Sequence, residues 1–145
     1  MKFRFVDKIL GYKEHEYIEG LKAVSLEECL LLKQMDIKEG FPETLMIESI
    51  FQLGNFLIYK SFHNKLALLT MFDKIEVQRA LAPGDIMTMR VNIDSVIDNS
   101  VRLNGIGYVY ETKVISGEGC IGRLVDIETL YDPDAYDALF ENLYR

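Results

Sequence analysis

Cysteine and histidine are scarce in this sequence, which holds two of each in 145 residues: Cys29, Cys120, His15 and His63. No metal-ligand spacing is present, so no metal site is expected. The two thiols read as small buried hydrophobes rather than as a disulfide. No apolar run reaches the ~18 residues that a membrane-spanning helix needs. Asp7 interrupts the opening MKFRFVDKIL where a signal peptide would keep a continuous apolar stretch. A cytoplasmic location is expected from these two absences. Lys/Arg clusters are missing too, and the formal net charge is −7. Nucleic acid is therefore disfavoured as a partner, because phosphates need a basic patch. Docking of an acidic carrier protein or of coenzyme A would require a local group of cations. Repeats, low-complexity stretches and Pro/Gly/Ser linkers are also lacking, so residues 1–145 are expected to form a single domain.

What the sequence does contain is enough apolar material for a core: 49% hydrophobic against 27% charged residues. Residues 3–10 and 16–24 predict two extended segments around the polar turn GYKEH. Ser25 followed by Glu28 forms a capping box, which predicts a short helix over 26–33. The best helix signal follows Phe41-Pro42. Residues 43–62 contain no proline and one glycine, with Glu43 in the first turn and Lys60 and His63 near the end, as the helix dipole prefers. From residue 66 the pattern is β: 66–79, 86–97, 99–112 and 114–128, separated by Ala82-Pro83-Gly84-Asp85, by Asp98-Asn99 and by a weak break near Thr112-Lys113. Short spacers imply antiparallel hairpins. Asp132-Pro133-Asp134 predicts a C-terminal helix over 134–144. The fold class is α+β, an antiparallel sheet of five to six strands with one long early helix.

That helix is apolar almost all round. With Glu48 placed at zero and about 100° per residue, Thr44, Gln52, Asn55 and Tyr59 all fall within about 40° of it. The rest is Leu, Met, Ile and Phe, with Ser49 and Gly54 as small exceptions. Such a helix must be wrapped, and only the sheet is available to wrap it. The narrow polar stripe holds one ionisable group and no base. It reads as a thin solvent-facing strip, a polar seam at a dimer interface, or a pocket wall in which Glu48 is flanked by Gln52 and Asn55. In a pocket, Glu48 would suit proton donation or abstraction and would be mostly buried.

Three local patterns now point to a family. FRFVDKIL followed by GLKAVS, Phe41-Pro42 followed by LMIESIFQ, and FDKIEVQRALAPGDIMTMRV occur in this order over residues 3–127. Together they resemble the β-hydroxyacyl-(acyl carrier protein) dehydratases of fatty-acid synthesis, the FabZ-like hotdog proteins. The resemblance implies a hotdog fold: an antiparallel sheet wrapped around the 43–62 helix, two such sheets joining edge to edge in a dimer. It places Glu48 on the catalytic acid and Gln52 on the usual helix glutamine. It also matches Asp73, Arg79, Pro83, Gly84 and Asp85, and makes Arg79 the candidate cation for a carrier or coenzyme phosphate. No cofactor is implied.

One departure is specific. The family's histidine, in a Gly-His-Phe-Pro-Gly segment, lies fourteen positions before the helix acid, and counting back from Glu48 lands on Gln34. Family enzymes use the histidine on the α-proton and the helix acid of the partner subunit on the β-hydroxyl; an amide is essentially non-basic. His15, in a polar turn, and His63, about 22 Å along the helix axis from Glu48, do not replace it. Three readings follow. The first is a dehydratase-like protein on 3-hydroxyacyl thioesters with an altered site. The second is an acyl-thioester thioesterase using Glu48 and Gln34, with Glu43 and Thr44 amides as oxyanion donors. The third is a non-catalytic acyl-carrier-binding or partner subunit, completed as a heterodimer by a histidine-bearing paralogue. The expected partners are an acyl thioester on acyl carrier protein or coenzyme A and a second copy or paralogue, with a higher oligomer also compatible.

Overall fold

The computed structural model describes residues 4–36 and 40–145. Strands β1 (Lys8–Lys13) and β2 (Tyr17–Ala23) are followed by helices α1 (Leu26–Gln34) and α2 (Glu43–Phe62). Strands β3 (Lys65–Met71), β4 (Lys74–Val77), β5 (Ile86–Ile97), β6 (Ser100–Val109) and β7 (Thr112–Asp126) come next, and a short turn of 3₁₀ helix leads into α3 (Pro133–Tyr144). All pairings are antiparallel. The strands form one seven-stranded sheet ordered β1-β2-β5-β6-β7-β3, with β4 also on β7. This is the α+β hotdog arrangement that the resemblance implies, with more strands than the five to six expected.

The extra strand has its cause in β7, a partner distant in sequence. The apolar stretch 66–79 reads as continuous, yet it breaks at Phe72-Asp73, where the Asp73 amide turns to the carbonyls of Glu118 and Gly119. Its two halves then pair separately with β7, β3 in register with Ile121–Asp126 and β4 with Ile115–Glu118. The last hairpin turns at Tyr110-Glu111, two residues before the weak break at Thr112-Lys113. Tyr110 takes a positive φ there.

Helix α2 touches β1 at one edge of the sheet and β3 at the other, as well as β2, β5, β6 and β7 between them. A helix can reach both edges of a sheet only if the sheet curves around it. Register shifts in the β5–β6 and β6–β7 ladders supply local bends. Met46, Leu53, Leu57 and Ile58 of α2 are fully enclosed, against Ile18, Met89, Val91 and Leu103 of the sheet in one core. The two small exceptions on the helix are explained by packing. Ser49 is buried with its hydroxyl donating to the Leu45 carbonyl, and Gly54 lies under Val91 and Leu103. Close approach also works from the sheet side: a Cβ on Gly105 would sit 2.5 Å from Ile50 Cγ2.

His15 stands exposed in the β1–β2 turn at positive φ, as expected of a polar turn, and its amide donates to the buried Ser61 hydroxyl of α2. His63 is the C-cap of α2. Cys29 and Cys120 are free and half-buried, packed against the core.

Gly105→Ala is expected to lower unfolding stability by about 1–3 kcal/mol, because Ile50 or the β6 backbone must give way. Gly11→Ala, where a Cβ meets nothing within 4 Å, should change it by less than about 0.5 kcal/mol. Urea unfolding of the two variants measures both, and equal effects would contradict this close packing of helix on sheet.

Candidate functional site

The polar stripe of α2 is positioned by three contacts. At the N-terminal end, Phe41 bridges Leu81 through two backbone hydrogen bonds of 2.8 and 3.0 Å. Gly40 is required just before it: its φ is +55°, and a Cβ would lie 2.3 Å from the Leu81 carbonyl oxygen. Midway, the Asn55 side chain replaces a missing strand partner. Its Oδ1 accepts the Ala67 amide at 2.7 Å, and its Nδ2 donates to the Ala67 carbonyl at 3.2 Å. On the other side, Gln52 Oε1 accepts the Phe5 amide at 2.9 Å, which leaves its NH₂ end to donate to Glu48 Oε1 at 3.1 Å.

Glu48 and Gln52 therefore form an oriented pair, and they face a cavity of about 420 Å³. One wall comes from α2, through Glu48, Phe51, Gln52, Asn55 and Phe56. The opposite wall is Tyr131, Asp132 and the Ala135, Tyr136 and Leu139 face of α3; Arg4 and Leu66 complete the lining. The lining mixes charged and polar groups, among them Arg4, Glu48, Gln52, Asn55 and Asp132, with the apolar side chains of Phe51, Phe56, Leu66 and Leu139. A size of a few hundred Å³ with a few polar groups among apolar ones is usual for a small-molecule site.

Of the residues expected here, Glu48, Gln52 and Asn55 are brought together, Asn55 with both ends of its amide already engaged. Glu48 lines the cavity but is exposed in the single chain, contrary to the expected burial. Glu43 and Thr44 are exposed on the first turn and do not line the cavity. Gln34 is exposed at the end of α1, also outside the cavity lining, and the loop beyond it, residues 37–39, lies outside the described residues. Helix α1 is itself anchored by a buried cation. Lys22 Nζ reaches Glu28 at 2.8 Å and Asp7 at 3.4 Å, and the Ser25 cap accepts the Glu28 amide.

Tyr59, on the same stripe, donates to Asp137 of α3 at 3.0 Å. Burial, reinforced by that carboxylate, pushes its phenol up to about 12, so it stays a neutral hydrogen-bond donor near neutral pH. Arg79 is engaged within its own turn, donating to Asp85 Oδ2 at 2.7 Å and to the Ala80 carbonyl. Asp85 also accepts the Ala82 amide. Arg4, Tyr131, Asp132 and the α3 face were not expected at the site. Only the apolar i, i+4 spacing of Ala135 and Leu139, one turn apart, hinted that α3 has a face to bury.

The family model described as a FabA-like domain matches residues 1–121. A relative named 3-hydroxyacyl-[acyl-carrier-protein] dehydratase FabZ, from Aliivibrio fischeri, is 27% identical over 120 residues, which cover 80% of each chain. Among solved structures, a hot-dog-like protein from Thermanaerovibrio acidaminovorans superposes with a TM-score of 0.63 at 17% identity, covering 92% of this chain and 95% of that one. The fluoroacetyl-CoA thioesterase FlK superposes with a TM-score of 0.64 at 12% identity, covering 93% and 99%. At these identities the two structures speak to the fold.

The Arg79 guanidinium, by its hydrogen bond, holds the Asp85 carboxyl below the usual carboxylate range against the opposing effect of burial. A depressed folded value means stabilisation that is present above the unfolded value and lost as pH falls through the folded one. Asp85→Asn should therefore be less stable than wild type at neutral pH, by at most about 1 kcal/mol for so exposed a pair. The gap should close as pH drops through and below the ordinary aspartate range. Thermal unfolding against pH measures it, and a gap independent of pH would contradict the pairing.

Proposed function

The chain belongs to the FabA-like domain family, and from that premise we propose that it binds acyl thioesters beside Glu48 and acts on 3-hydroxyacyl thioesters as a dehydratase-like protein. One observation carries the reading: a carboxylate, oriented by Gln52, on the wall of a cavity lined by both polar and apolar side chains. In dehydration the Cα–H bond breaks, the β-hydroxyl leaves, and water forms when that oxygen gains a proton. Glu48 is the group for the second proton, and the adjacent apolar lining suits an acyl chain. Gln34 cannot take the α-proton, because an amide is essentially non-basic. That step is assigned to Glu48 as well, whose ionised carboxylate accepts the α-proton and passes it to the departing oxygen, so that water leaves and the carboxylate is restored. FabZ-named relatives over most of the chain support the substrate class.

The assembly proposed with it is a dimer. Strand β3 is an edge strand, and Leu68, Leu69, Met71 and Phe72 stand exposed along it and just past it. The opposite edge, β1, is covered by α3, where Tyr12 packs edge-on against Phe140. An apolar open edge is an aggregation hazard unless paired. Pairing through β3 puts a second chain near the uncovered Glu48, whose stripe borders β3 through Asn55. A partner-subunit role is the second reading, favoured by the one feature the first does not use: an amide at position 34 where the relatives' family pattern has a base.

Mass spectrometry after incubation with 3-hydroxyacyl thioesters of acyl carrier protein and of coenzyme A separates the outcomes. The expected result is loss of water, reduced about 10²-fold or more by Glu48→Gln and raised by Gln34→His. Activity seen only on mixing with a histidine-bearing paralogue, and dependent on Glu48, would establish the second reading. Release of free thiol by wild type, abolished by Glu48→Gln, would replace both with thioester hydrolysis. No change in any thioester, alone or mixed, would refute the proposal.

A further inference from the structure

We propose that α3 is the specificity wall of this site: the acyl tail lies between α2 and α3, and Ala135 and Leu139 set the chain length it accepts. The inference rests on the reading that the Glu48 cavity takes an acyl thioester, and it deepens that reading with segments the family match does not reach. That match ends at residue 121, while Tyr131, Asp132, Ala135, Tyr136 and Leu139, all beyond it, line the cavity together with Glu48. Positions 132, 135, 136 and 139 recur at helical spacing, so a single face of α3 looks into the cavity.

This wall is held rigidly. Asp132 caps the helix by accepting the Asp134 amide, and Pro133 opens it in the position a proline favours. Tyr136 is buried and stacks on Phe56 of α2, with ring centroids 5.1 Å apart and planes 23° from parallel. One turn on, Phe140 is buried beneath the Lys60 ammonium, 4.4 Å from its ring centroid, and meets Tyr12 of β1 edge-on. The Tyr59–Asp137 hydrogen bond pins the outer side. Tyr136 and Phe140 therefore anchor α3, leaving Ala135, exposed, and Leu139, half-buried, as side chains that border the cavity without carrying the anchorage. Phe51, Phe56 and Leu66 line the same cavity as Leu139 and give a hydrocarbon tail apolar surface to lie on. Glu48 and the Gln52 amide that donates to it mark where a thioester head would sit.

Straight-chain S-alkyl thioethers of coenzyme A, which cannot react, are the probe, titrated by calorimetry from short to long chains. Wild type should bind best at one chain length. Ala135→Leu, which adds bulk at an exposed helical position, should lose about tenfold or more for the longest chains and move the optimum shorter. Leu139→Ala should move it longer, since one methylene in an apolar pocket is worth about 10- to 200-fold. Unchanged circular dichroism shows that each variant is folded. If both folded variants keep the wild-type profile, the wall is wrong while thioester binding stands. If wild type binds no thioether of any length, the thioester reading fails and the inference falls with it.

Discussion

A helix that is apolar on nearly every side cannot stay in water, and the structure follows from covering α2. Its leucines, isoleucines and phenylalanines need neighbours through most of a turn, which one flat layer cannot provide. The sheet therefore curves until strands at both of its edges touch the helix. Close approach requires small residues where backbones meet side chains, and Gly105 under Ile50 and Gly54 under Val91 and Leu103 meet that need. Removing one such large side chain, for example Leu53→Ala, falls in the range of about 2–5 kcal/mol for buried leucines. That is a large share of the ~5–15 kcal/mol that a domain usually has.

The same constraint creates the site. A helix wrapped on all sides but one leaves a single seam, and its large polar side chains gather there, while the small hydroxyls of Ser49 and Ser61 are buried with hydrogen-bond partners. Asn55 stitches the seam to β3, Gln52 to Phe5 in the segment before β1, and Tyr59 to α3. Each of these side chains has a structural partner. Glu48 lies among them with a hydrogen bond only from Gln52 among the described residues, its carboxylate otherwise turned to the cavity and to solvent. Glu48 is the one carboxylate on that stripe, and the chemistry proposed for this chain is its chemistry.

Much of this was legible in the residues. Helix α2 runs over the predicted 43–62, because Phe41-Pro42 fixes its start and the run of helix formers ends at His63-Asn64, where φ turns positive. The β5 strand over 86–97 was equally plain between its two turns. Local pattern failed where a long-range partner decided the outcome. The 66–79 stretch became two strands because β7 bonds to both halves around Asp73, and nothing within the stretch announces that. In the site, Glu48 and Gln52 are one turn apart on one helix, so spacing found them. Arg4, Asp132 and Leu139 reach the cavity from the two ends of the chain, a proximity that periodicity does not encode. The exposure of Glu48 was missed for a related reason: the stripe predicts which side is polar, not which segment covers it.

The central claim is that an acyl thioester lies in the seam between α2 and α3 with its reacting carbons at Glu48. A crystal structure with a hydrolysis-resistant thioether analogue of a 3-hydroxyacyl coenzyme A tests it most directly. The account predicts the β-hydroxyl within hydrogen-bond distance of a Glu48 carboxylate oxygen and the tail against Phe51, Phe56 and Leu139. An analogue bound elsewhere on the chain, with the Glu48 cavity empty, would contradict it.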